Sequence, residues 1–157
     1  MEGKPVKESS VSTVQFMTQQ DANMAGNVHG GVIMKLVDTT AAAVAIRHTR
    51  TNVVTASIER LDFHNPVFVG DLLTIKASLN VVGKTSMEVG AYVQSEDLRN
   101  GKIQHTASAY LTLVALGEDG RPTAVPPLIL ETDEEIRRNR DAQARKKIRM
   151  GESERRK

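Results

Sequence analysis

Asp38 lies inside a long run of apolar and small residues, Gly30 to Ile46, where an ionised carboxylate is out of place. At about 100° per residue, Ile33, Leu36, Val37, Thr40 and Val44 share one helical face and should pack into a core. Asp38 falls on the adjoining face with Met34, Ala41 and Ala45, where small side chains would let another chain or strand come close. Burying an unpartnered carboxylate is costly, so Asp38 must be hydrogen-bonded locally, exposed at a rim, or used as a base that activates water. The same run is preceded by Gly26-Asn27-Val28-His29 and opens on Gly30-Gly31. The first N–H groups of a helix lack intrahelical acceptors and sit at the positive end of its dipole. Glycines there let an oxygen approach those donors, as stabilising an oxyanion requires. The competing explanation is that Gly30 and Gly31 only permit close helix–strand packing.

Spacing limits how these features can cooperate. The glycines and Asp38 are two turns apart, roughly 10–12 Å along the axis at 1.5 Å per residue. One site can hardly use both from a single helix unless its substrate lies along it. Two antiparallel helices side by side in a two-fold dimer would bring the start of one against the Asp38 of the other. His29 could bind a substrate or orient the loop, and ordering the loop is the plainer expectation. Asn27 reads as the helix cap.

A chain of 157 residues suits one domain with a real core. Cysteine is absent, which excludes disulfides, thiolate ligands and a thiol nucleophile. The histidines at 29, 48, 64 and 105 have no metal-ligand spacing, and neither a metal nor another cofactor is expected. No run approaches the roughly 20 apolar residues of a membrane span. The first residues lack a hydrophobic signal region, so the expected location is the cytoplasm. Residues 128–157 hold 10 Lys/Arg and 7 Asp/Glu, leaving the first 127 residues at −1. A basic tail on a near-neutral body, with 3% aromatic residues, is not a nucleic-acid surface.

The periodicity predicts a strand over 12–18, a loop to His29, and the apolar helix. From Asn52 the period becomes two. Val54, Ala56 and Ile58 take one face while Leu61 and Phe63 take the other parity, predicting a bulge near Glu59-Arg60 in a long curved strand. Leu73, Ile75, Ala77, Leu79 and Val81 alternate cleanly. A turn at Gly83-Lys84 leads to Met87, Val89, Ala91 and Val93. Asn100-Gly101 marks a hairpin, and His105 to Leu116 is the last strand. The expected class is α+β: one strand, one long central helix and four strands in an antiparallel meander, the curved sheet wrapping the helix. The expected organisation is a flexible N-terminus over 1–11, a domain over 12–127 and a charged tail over 128–157. The tail should be helical from about 133, where Thr132-Asp133-Glu134-Glu135 forms a capping-box pattern. Its apolar stripe (Ile136, Ala144, Ile148) is thin. A solvated helix fraying after Gly151 is expected, with packing onto another subunit as the alternative.

A sheet wrapped around one helix is the hotdog fold, and local motifs extend the likeness. Asp21-Ala22-Asn23, Gly26 to Gly31 and Lys35-Leu36-Val37-Asp38 resemble the helix-leading signature of the acyl-CoA thioesterases of the hotdog superfamily. Val54-Thr55-Ala56-Ser57, Pro66-Val67, Val69-Gly70-Asp71, Gly83 to Glu88 and Pro126-Pro127-Leu128 agree with it in the correct order. The likeness runs from about residue 12 to 135 and is to the acyl-CoA hydrolase branch, both cytosolic long-chain hydrolases and bacterial single-domain relatives. The resemblance implies hydrolysis of acyl-CoA to free fatty acid and CoA, placing the chain in lipid metabolism. It implies Asp38 as the group that activates water, with a nucleophilic role as the alternative, and Gly30 and Gly31 as oxyanion donors. It also implies Asn23 as a catalytic asparagine and Thr55 as the polar residue that positions water. By residue type alone, Asn23 is a turn former and Thr55 an ordinary strand residue. Partners implied are the acyl-CoA substrate and further copies of the chain, at least a homodimer and further a trimer of dimers, a hexamer. CoA phosphates call for cations at the site mouth, for which Lys84-Thr85-Ser86 at the strand turn is the best candidate, with His29 nearer the glycines. Two rivals remain. One is an enoyl-thioester hydratase on the same fold, which needs a His/Asp pair involving His29. The other is a non-enzymatic acyl-CoA-binding sensor whose basic tail contacts nucleic acid, although no DNA-binding helix pair is evident.

Overall fold

In the computed structural model, which describes residues 1–156, the chain begins β1 (Lys4–Pro5), α1 (Val6–Ser9), β2 (Val11–Phe16) and a 3-10 turn (Gln19–Asp21). It continues α2 (Gly30–Thr49), β3 (Asn52–Phe63), β4 (Asp71–Val82), β5 (Ser86–Asp97), β6 (Lys102–Leu116), β7 (Leu128–Ile129) and α3 (Asp133–Arg156). The apolar run makes α2, which ends where Arg50 turns left-handed (φ 57°) and donates its N–H to Ile46 O at 2.7 Å. Ile33, Val37, Thr40 and Val44 are buried as the periodicity predicts. Ala41 and Ala45, expected on the approachable face beside Asp38, are instead fully buried. The sheet wraps further around the helix than one face of its periodicity suggests. Half-buried Asp38 is left on the helix surface that carries exposed Met34 and Ile46.

Five antiparallel strands in the order β2-β4-β5-β6-β3 enclose α2 in a hotdog. The four-strand meander is therefore corrected: only β4-β5-β6 is one. β3 leaves for the far edge and pairs with β6, while β2 takes the place beside β4. The reason lies in residues 64–70, which form a tethered strap rather than a hairpin turn. Asn65 Nδ2 donates to His105 O at 2.7 Å, Val28 N donates to buried Val67 O at 2.8 Å, and Asn27 bridges Phe68.

β3 breaks register twice, between Thr55 and Ser57 and between Glu59 and Asp62, where the sequence predicted one bulge. The first break resets the alternation. Thr55 faces Leu113 and Ile58 faces Leu111, both buried on the inner face, whereas Val54 pairs with Val114. Val54, Ala56 and Ile58 therefore do not share one face. Arg60, at the second break, has φ 53°.

The first eleven residues, expected to be flexible, carry β1, which pairs in parallel with β7, and α1, whose Val6 and Ser9 are buried. Lys4 Nζ donates to His48 O at 2.8 Å. His48 itself is fully buried, with Nε2 2.7 Å from Pro126 O and Nδ1 unpartnered among the described residues. Burial pushes its imidazole pKa down, only partly offset by the bond to Pro126.

The tail expectation is also corrected. Thr132 does cap α3, accepting Glu135 N–H at 3.1 Å, and the helix runs unbroken past Gly151. It is not free in solvent, however: α3 lies on the outer face of the sheet against β4. The expected stripe is not the docking face, since Ile136, Ala144 and Ile148 are exposed. Ala142 is fully buried, and Asn139, Arg145 and Arg149 reach the sheet around it.

Candidate active site

At the start of α2, His29 is the capping position (φ −58°, ψ 134°), which corrects the reading of Asn27 as the cap. Val32 and Ile33 N–H both donate to His29 O, at 3.0 and 3.4 Å. The two N–H groups before them, of Gly30 and Gly31, have no backbone acceptor among the described residues. Neither glycine has positive φ. A Cβ on Gly31 would meet nothing within 4 Å, and one on Gly30 would touch the Phe63 ring at 3.5 Å, an ordinary contact. Within one chain, neither backbone conformation nor packing requires glycine here. What remains is open access to two free donors.

Asn23 stands beside them, at the wall of a cleft of about 350 Å³ that Gly30, Ile33, Phe63, His64 and Val67 also line. Its Oδ1 accepts the N–H groups of Ala25 and Asn27 at 3.0 and 3.1 Å, so the turn-forming role is real. Those two bonds also fix the amide orientation and leave Nδ2 without a partner among the described residues, free to donate. The wall formed by Phe63 and His64 was not read from the sequence. No local pattern in the sequence announces a strap that crosses the helix start.

Asp38 and Thr55 meet elsewhere. Thr55 Oγ1 donates to Asp38 Oδ1 at 2.6 Å, and no cation or backbone N–H reaches the carboxylate among the described residues. The single hydroxyl orients the carboxylate and leaves Oδ2 open to accept a proton. Neither residue lines the cleft. The two halves of the expected site are thus formed but separate within one chain.

The other candidates are placed as follows. His29 is tied to the loop through its backbone, its N–H donating to Asp21 O at 2.9 Å, while its side chain is exposed and makes no capping bond. Backbone, not ring, orders the loop. Lys84, Thr85 and Ser86 form the β4–β5 turn, with Ser86 opposite Val114 at the end of the sheet where β3 begins. That is near the level of Thr55 and away from the cleft at Phe63. A larger groove of about 550 Å³ lies on the outer face among Tyr92, Tyr110, Arg138 and Arg145, and none of the candidate residues lines it. No three His, Asp or Glu side chains among the described residues are grouped to hold a metal.

A sheet closed around one helix, with free donors at the helix start and a lone carboxylate midway along it, defines a hotdog protein. Residues 25–102 match the family model of the Thioesterase superfamily. A crystal structure of an apo hexameric acyl-CoA thioesterase superposes with TM-score 0.93 at 35% identity, covering 98% of each chain. The acyl-CoA hydrolase of Staphylococcus aureus, solved with butyryl coenzyme A, coenzyme A and coenzyme A disulfide, superposes with TM-score 0.87 at 35% identity, over 97% of this chain and 94% of that one. The cytosolic acyl coenzyme A thioester hydrolase of Rattus norvegicus is 36% identical over 146 residues, 92% of this chain, which spans 38% of that relative's length. The chain belongs to the acyl-CoA hydrolase family of the thioesterase superfamily.

Proposed function

We propose that this protein hydrolyses the thioester of acyl-CoA in the cytoplasm, releasing a free fatty acid and CoA. The observation that carries the reading is the pair of free N–H groups at Gly30 and Gly31 beside the cleft, where nothing inside the chain demands glycine. The thioester oxygen sits on those donors. Asp38 Oδ2 takes a proton from water as the water oxygen attacks the carbonyl carbon. Charge developing on the thioester oxygen is met by the glycine donors. Collapse of the tetrahedral species breaks the C–S bond, and the CoA sulfur leaves and is protonated. Thr55 holds Asp38 in place, and Asn23 Nδ2 donates to the water or the thioester oxygen.

The separation of the two halves supports a site shared between two copies of the chain, with the α2 helices antiparallel. β3 is an edge strand carrying exposed Val54 and Ile58, which supports pairing along that edge. The hexameric relative supports a further assembly of such dimers. Residue choice in the Staphylococcus aureus hydrolase supports the roles: its solved variants replace by alanine an asparagine, an aspartate fifteen positions on and a threonine seventeen further on, the spacing of Asn23, Asp38 and Thr55. Neither rival gains support. The His29 side chain is exposed and makes no hydrogen bond among the described residues that would ready it as a catalyst, and Arg145 and Arg149 of α3 are paired with Glu88 and Glu59 on the sheet. Free-thiol release from acyl-CoAs of increasing chain length tests the reading. Turnover of at least one length is expected; release from none would overturn it.

A further inference from the structure

Arg149 of α3 joins two strands that are not neighbours. Its Nε and Nη1 each lie 3.3 Å from a carboxylate oxygen of Glu59 on β3, and Nη1 lies 3.5 Å from Glu88 Oε1 on β5. β6 runs between those strands.

Glu88 is a fixed post. It is 1% exposed, accepts Arg145 Nε and Nη2 at 2.9 and 2.8 Å, and accepts Asn80 Nδ2 at 3.0 Å. Arg145 also lies 3.6 Å over the Tyr110 ring. Asn80 reaches Glu88 from the register break in β4 and across Gly90, where a Cβ would fall 2.8 Å from Asn80 Nδ2. Both carboxylate oxygens of Glu88 are thus hydrogen-bonded.

β3 is the opposite kind of element. It is an edge strand, bonded within the chain only to β6, and its register breaks twice. Thr55 stands immediately before the first break and Glu59 immediately before the second, next to Arg60 with its positive φ. Because side chains alternate along a strand, a slip of one residue would turn Thr55 away from Asp38. The three pairs from Ser57 to Glu59 are all that holds the stretch between the breaks to β6.

We propose that Arg149 is a positioning residue for hydrolysis: by tying Glu59 to buried Glu88 it fixes the register of β3 and keeps Thr55 on Asp38. The proposal rests on the roles given above to Thr55 and Asp38. It makes α3, which touches neither residue, part of what aligns them.

The test compares Arg149→Ala, Arg149→Lys and Glu59→Gln in the wild-type and Thr55→Ala backgrounds of the full chain. Readouts are kcat and KM for an acyl-CoA the wild type turns over, and amide hydrogen exchange across β3 and β4. Arg149→Ala should lower kcat about tenfold with KM nearly unchanged, with partial recovery in Arg149→Lys. In the Thr55→Ala background it should cost nothing more, since the contact it protects is already gone. Exchange should accelerate over residues 56–62 and not in β4. An unchanged kcat, an equal loss in the Thr55→Ala background, or exchange raised evenly across the sheet would overturn the proposal. Absence of thiol release by the wild type would defeat the thioesterase reading alone, and the exchange comparison would still decide the clamp.

Discussion

Two helices cover the two faces of one sheet, and each presents a carboxylate problem with an opposite solution. On the inner side, Asp38 sits in an apolar helix and meets one neutral hydroxyl. On the outer side, Glu88 is almost fully buried, and two arginines and an amide surround it. Glu88 is structural: its charge is spent on holding α3. Asp38 is left with a free oxygen and no counter-charge, an arrangement that stability alone does not call for. The same contrast separates the backbone donors. Those of Val32 and Ile33 are satisfied by His29 O, while those of Gly30 and Gly31 are left open.

The sharpest way to break this comparison is to exchange the chemistry of each carboxylate. Asp38→Asn should lower kcat by about 10³-fold, in the range of a lost general base, with the thermal midpoint nearly unchanged. A variant that keeps near wild-type turnover would return Asp38 to a structural role. Arg145→Ala should do the reverse, lowering unfolding free energy by about 3 kcal/mol because it strips the main partner from a buried charge. Denaturant titration measures this, and a loss below about 1 kcal/mol would show that Arg149 and Asn80 suffice without it.

Gly31→Ala sharpens the contrast at the helix start. Alanine favours a helix by up to about 1 kcal/mol and its methyl would meet only open space, so stability should hold or rise. Turnover should nonetheless fall at least about tenfold, because the methyl obstructs an oxygen approaching the free donors. Equal activity would remove the oxyanion assignment.

Acid titration gives the smallest effect and separates the two faces by pH. Burial lowers the His48 pKa below 6.5, so its contribution is whole above that value and lost as pH falls through the folded-state value. For Glu88, burial pushes the carboxyl up, but the bonds from Arg145 and Asn80 and the arginine charges outweigh it and leave its pKa below 4.5. Its contribution is whole above 4.5 and disappears only as pH falls through that lower value. Denaturation midpoints against pH should therefore decline in two steps, with His48→Gln removing the first alone.

What was legible in the sequence was local. Helix α2, the alternation from Leu73 to Leu79, the Asn100-Gly101 hairpin and the Thr132 cap each depend on neighbours a few residues away. The place of β3 was not legible, because pairing with β6 is a long-range choice and the strap that permits it has no periodicity. The docking of α3 was hidden for a related reason. Glu88 alternates with Met87 and Val89 as a solvent-facing residue should, and only the arginines fifty-seven and more positions later turn that face into an interior. Asp38 and the glycine pair stood out because they violate local rules, which is what marks them as candidates. Their proposed place in separate halves of a site follows from helix geometry, whereas the Phe63–His64 wall came only with the fold.

Mixing chains tests the central claim most directly. Asp38→Asn and Asn23→Ala proteins, each nearly inactive, would be combined under conditions that exchange subunits, with exchange verified by mass. If one site takes Asn23 and the glycine donors from one copy and Asp38 and Thr55 from the other, each mixed dimer regains one intact site. An equal mixture should then recover about a quarter of wild-type thiol release. Activity no greater than that of the parent variants, with exchange complete, would contradict the shared site.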